Sequence, residues 1–166
     1  MTKTINILLV VDVVAALEAD TLAGSLYMID DNRLGGSRNQ ATAGLATSVA
    51  PGDEIIWTLL PIECENHAAI RAIKLPAEIC EVRRETYPES DVSYWVGTVK
   101  QPVGDLPYGL TLELGSRMRT LDNGTDARLI DAALNASPGA TRTRSSSRIV
   151  EAALNASPGV TRTRSS

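Results

Sequence analysis

The stretch "PGDEIIWTLLPIECENH", residues 51–67, holds the chain's single histidine and one of its two cysteines. Cys64 and His67 stand as C-x-x-H, a spacing that could supply two zinc ligands, with Cys80 as a third. A structural zinc site needs four ligands, usually as two close pairs, and no second pair exists. A thiolate–imidazole pair for nucleophilic chemistry needs a third group to orient the base, and nothing in the sequence places one. The expectation is therefore no metal, no cofactor and no catalytic residue, with Cys64–His67 in an exposed loop behind a strand. "MIDDN" puts Asp30, Asp31 and Asn32 together, oxygen donors of the kind calcium takes. The D-x-D-x-D-G spacing and distal glutamate of an EF-hand are missing, and these residue types are also the usual turn formers. "GGS" at 35–37 lacks the frame of a phosphate loop, and no G-x-S-x-G occurs. "SYWVG" sets Tyr94 and Trp95 on opposite faces of a strand, so that one ring could stack on a sugar or another flat ligand while the other packs inward. Asp30, Asp31, Asn32, Tyr94 and Trp95 together form the weak ligand-binding set that the sequence offers. An enzyme is the least supported class.

These residues must be positioned by strands. Ile5, Ile7, Leu9, Val11 and Val13 alternate with Asn6, Leu8, Val10 and Asp12, which predicts a buried first strand. Asp12 interrupts the apolar run, and the run is β-branched, so "MTKTINILLVVDVVAALEA" reads as strand rather than signal peptide. Further strands are expected at 25–30, 54–62, 68–75, 92–100 and 108–115, with one more within 116–122. Residues 30–44 are expected to be loop, and "VAALEADTLAG" a turn or two of helix. In 54–62, Ile55, Trp57 and Leu59 share one face while Ile56, Thr58, Leu60 and Ile62 share the other. A strand apolar on both faces is either central in a sandwich or covered by a partner subunit. Seven or eight short strands predict an all-β fold, a two-sheet antiparallel sandwich over 1–125.

Residues 126–166 differ in kind. "RLIDAALNASPGATRTRSS" at 128–146 recurs as "RIVEAALNASPGVTRTRSS" at 148–166, a period of 20 residues with conservative changes. Two units cannot build a solenoid, and a tract rich in Ser, Thr and Arg buries little, so a short helical or disordered tail is expected. The sharper alternative docks Ile130, Ala133 and Leu134, with their copies, on an exposed sheet face. Residues 1–127 carry 10 basic and 18 acidic side chains; the remainder carries 6 arginines against Asp131 and Glu151. An acidic core is ill suited to gripping phosphates, so nucleic acid is not its expected partner. No stretch approaches the apolar length of a membrane helix, and a cytoplasmic protein is expected. Whether Cys64 and Cys80 pair depends on the compartment.

The order of "INILLVVDVVAAL", "LYMIDDN", "GS", "PGDEIIWTLLPI", "EIC", "YWVGTV" and "PYGLTLEL" resembles the PixA/AidA family of bacterial inclusion-body proteins over residues 4 to about 121. The resemblance implies a β-sandwich, accumulation in the cytoplasm (sometimes as inclusions) and expression under quorum-sensing or phase control. It carries no catalytic residue. One departure is that members end on an aromatic-containing strand, whereas "TLDNGTDARLID" runs directly into the repeats. A missing last strand leaves a sheet edge to be covered, by the first repeat or by another subunit. The reading reached is a non-enzymatic, self-associating protein, a homodimer or higher oligomer. The alternative is a sandwich that binds a sugar or small molecule.

Overall fold

A computed structural model describes residues 1–135. Ten strands run in the order β1 (Thr4–Val11), β2 (Leu26–Asp30), β3 (Ala46–Val49), β4 (Glu54–Pro61), β5 (Ala68–Lys74), β6 (Cys80–Thr86), β7 (Ser93–Val99), β8 (Asp105–Leu114), β9 (Arg119–Asp122) and β10 (Ala127–Asp131). Helix α1 (Val13–Ala19) follows β1, and the short α2 (Ala132–Asn135) follows β10. The first sheet has the order β2-β1-β4-β7-β6, and the second β3-β10-β8-β5 with β9 also on β8. The two-sheet sandwich expected from the sequence is the fold. It holds more strands than the seven or eight expected, and its sheets are mixed rather than purely antiparallel, because β1 runs parallel to β4 and β10 parallel to β3.

The first strand is shorter than its apolar run suggests, and Asp12 is the reason. Its Oδ1 accepts from the Ala15 backbone N–H at 2.8 Å, capping α1 and turning Val13 from strand into helix. Ile5, Ile7, Leu9 and Val11 face inward and are essentially fully buried. Leu110, Leu112 and Leu114 do the same from β8. Trp57 from β4 and Tyr108 from β8 meet edge to face across the core, with ring centroids 6.3 Å apart, and Trp57 Nε1 donates to Tyr108 Oη at 3.3 Å. Room for the indole comes from Gly97 on the neighbouring β7. A Cβ there would lie 2.9 Å from the Trp57 ring and 2.8 Å from Cys80 Sγ.

The sandwich continues past the boundary expected at 125. Strand β10 lies between β3 and β8, pairing Leu129 with Thr47 on one side and Leu106 on the other. The opening of the first repeat is therefore an interior strand and supplies the edge cover that the sequence lacks at that point. Strands β9 and β10 serve the same side of β8 in succession. The gap between them is bridged by Asn123, whose backbone N–H donates to Leu110 O at 3.0 Å and whose Oδ1 accepts from Leu110 N at 2.7 Å. Ile130 thus belongs to a strand, while Leu134, in α2, is exposed. The described residues belong to one compact unit; the rest of the first repeat and the whole of the second lie outside the described residues.

Replacing Tyr108 by Phe removes the acceptor of a fully buried indole N–H while keeping the ring. Tyr108→Phe is expected to lower the unfolding free energy by about 1–3 kcal/mol in a urea titration, with the slope unchanged.

Candidate interaction surface

The loop acids bond within the fold, except that Asp30 Oδ2 is buried without a hydrogen-bond partner among the described residues. Asp30 Oδ1 accepts from Gln40 Nε2 at 2.8 Å and from the Asn32 backbone N–H at 3.0 Å. Asp31 accepts from both the backbone and the side chain of Asn6, at 3.0 and 2.7 Å. Asn32 donates through Nδ2 to Ser48 O at 2.6 Å and accepts from Lys3 Nζ at 3.0 Å. With Ser37 Oγ accepting from Ser48 N at 3.0 Å and Arg38 bridged to Ala46, this loop clamps the outer edge of β3. The aromatic pair lies elsewhere. Asp30, Ile7, Trp57 and Trp95 are aligned in one row across β2, β1, β4 and β7, so Asp30 and Trp95 stand about 14 Å apart at ordinary strand spacing. Trp95 turns inward and donates to Ile70 O at 2.9 Å. Tyr94 faces outward, donates to Glu85 Oε2 at 2.8 Å and packs on Tyr87 with centroids 4.4 Å apart. The five residues do not converge on one site.

Cys64 is exposed in the loop after β4, whereas Cys80 is buried at the start of β6, and both are free thiols. Burial pushes the Cys80 thiol up to about 11 against the opposing pull of Lys100. His67 contacts Glu113 Oε1 at 3.1 Å rather than a cysteine. Among the described residues no group of three or more His, Cys, Asp or Glu side chains is arranged to hold a metal ion.

What the first sheet does assemble is an apolar outer face. Ile29, Leu8 and Thr58 form one cross-strand row, and Tyr27, Val10 and Leu60 the next. Leu8, Tyr27, Ile29 and Leu60 are exposed, at 37%, 39%, 42% and 52%. Ile56, paired with Val96, extends the patch toward β7. Charge stands at its margin, in Asp31, in Glu54 at the start of β4 and in the Arg83–Glu85 ion pair of β6 (2.6 Å). An apolar centre within a polar rim is the anatomy of a protein–protein contact. The sequence signal was present in the two-faced β4, and the structure adds the two strands beside it.

A family model described as a domain of unknown function, DUF8788, matches residues 3–119. The chain belongs to this family. Its match covers the strands from β1 to the start of β9 and stops short of β10. No curated protein sequence matches the chain. Among solved structures, the DUF8788 fold is shared by the inclusion body protein PixA of Burkholderia cenocepacia J2315. The two superpose with a TM-score of 0.60 at 16% identity, covering 77% of this chain and 91% of the other. The resemblance to PixA read from the ordered motifs is thus met in the fold. No helix among the described residues is long and apolar enough to cross a membrane.

The thiols give a direct check of these placements. In the native protein a thiol-reactive dye is expected to label Cys64 within minutes and leave Cys80 untouched, both reacting once the chain is unfolded.

Proposed function

We propose that this chain is a non-enzymatic, self-associating protein of the inclusion-body type, which meets further copies of itself through the outer face of the first sheet. The observation that carries the reading is the pair of apolar rows Ile29–Leu8–Thr58 and Tyr27–Val10–Leu60, free of charge and open to solvent. Association by face rather than by edge fits the edges themselves. Strand β6 ends the first sheet with Glu81, Arg83, Arg84 and Glu85, and β5 ends the second with Arg71, Lys74 and a bulge between Ile70 and Ala72. Charges and bulges of this kind discourage strand addition. The likeness to PixA supports the inclusion-body type, and with it come accumulation in the cytoplasm and expression under population-density or phase control. The ligand-binding reading has weaker support, because Asp30, Asp31 and Asn32 bond to Gln40, Asn6 and Ser48 within the fold and lie three strands from Trp95.

Sedimentation velocity over a concentration series tests the proposal. The parent chain is expected to show a concentration-dependent dimer or higher species. Leu8→Lys and Ile29→Lys place a charge at the centre of the face and are each expected to weaken association tenfold or more, with folding intact by circular dichroism. A parent chain that stays monomeric at the highest soluble concentration, or variants that associate like the parent, would overturn it.

A further inference from the structure

The gap between β4, β5 and β7 opens backbone edges from both sheets. Glu54 N donates to Lys3 O and Ile62 N to Val11 O, both at 2.9 Å, so the even-numbered residues of β4 turn their peptide groups toward β1. The odd-numbered residues turn theirs toward β7, where Ile55 pairs with Gly97 and Trp57 with Trp95. The ladder stops there. Leu59 and Ser93, next in line on the two strands, do not pair. Strand β5 presents a second open edge. Gly115 N donates to His67 O at 2.8 Å and Ala69 stands opposite Glu113, so Ala68 and Ile70 turn their peptide groups away from β8. The Trp95 indole N–H, which donates to Ile70 O at 2.9 Å, confirms that direction. The two edges line one cleft of about 360 Å³, within the range of small-ligand sites. Leu59, Pro61 and Ile70 give it apolar walls, and Arg84, Asp91 and Ser93 bring polar groups to it.

Arg84 stands opposite Trp95 in the register of β6 and β7 and shares the inner side of the sheet with that indole. It donates through Nη2 to Ser93 Oγ at 3.0 Å. Neither Arg84 nor Asp91 enters an ion pair among the described residues. A guanidinium carries a fork of N–H donors that fits a carboxylate, and one bond to a neutral hydroxyl leaves most of them unused. We propose that this cleft binds a short free peptide, about two or three residues long, held extended. The peptide's main chain pairs with the open peptide groups of Leu59 and Ala68, as chains add to sheet edges elsewhere. Its carboxylate meets Arg84 and its ammonium meets Asp91. The small volume and a charge for each terminus set the length, and the apolar walls suit small aliphatic side chains.

Trialanine, its C-terminal amide and its N-acetyl form are the probes, titrated into the full-length parent, Arg84→Gln and Asp91→Asn and followed by amide NMR and calorimetry. Both side chains are exposed, so the two variants are expected to melt like the parent. Trialanine is expected to bind the parent saturably with a Kd below a millimolar, with the largest shifts at the Leu59, Ala68 and Ser93 amides. Amidation is expected to weaken binding by about tenfold in the parent and to add nothing in Arg84→Gln. Acetylation should stand in the same relation to Asp91→Asn. No saturable binding to the parent, shifts away from these three amides, or equal affinity in parent and Arg84→Gln would overturn the proposal. So would alanine or acetate binding as tightly as trialanine, since the cleft would then hold a carboxylate without reading a peptide.

Discussion

The contact between Trp57 and Tyr108 sets the distance between the two sheets. The chain has no phenylalanine, and its other interior side chains are mainly Leu, Ile, Val and Ala. A sandwich core about 10 Å thick is filled by side chains reaching from both inner faces. Where the indole and the phenol cross, each reaches further than an aliphatic group, so the strands around them must adapt. Gly97 gives way beside the indole, and Cys80 and Val82 close over the space. The hydrogen bond from Nε1 to Oη lets both polar atoms remain buried without a desolvation penalty. Burial in turn pushes the Tyr108 phenol far above its ordinary range, so it stays neutral. With the spacing fixed there, the aliphatic rows on either side fall into register.

The same central strand explains why the outer face matters. Strand β4 sits between β1 and β7, and its inward side chains complete the core. Its outward side chains, Ile56, Thr58 and Leu60, are of the type a core would accept, and β1 and β2 add Leu8, Val10, Tyr27 and Ile29 to them. A monomer in water gains nothing from such a face. Its neighbours at the margin are charged and ion-paired, so the boundary between apolar and polar is drawn by the sequence of each strand rather than by accident of folding.

Much of this was legible in the sequence because alternation reports burial directly. Strands β1, β2, β4, β5, β7 and β8 were visible in this way, and "SRMRTLD" held β9. Strand β6 was not, because CEVRRET is an edge strand with mostly exposed, charged side chains and no apolar row to betray it. Strand β10 was hidden by its own duplication, since a segment repeated within a polar tract reads as tail. The parallel pairings left no local trace, because they depend on which strands lie side by side. The ligand-binding set failed to converge for a related reason. Residue types name a chemistry, but the row that separates Asp30 from Trp95 is a property of topology.

Strand β10 is the last strand of the described chain and yet not the last of its sheet. Arg128 must find Ala46 across most of the sandwich, in parallel, before β3 has any partner beyond a clamping loop. Pairings between such distant positions form slowly, because chain entropy is spent before any contact is gained. During synthesis the first sheet can therefore close on its own strands while the second waits, with β3 and the lower half of β8 still unzipped. Ordered assembly of this molecule is a question of timing, and the time is set by the arrival of five residues.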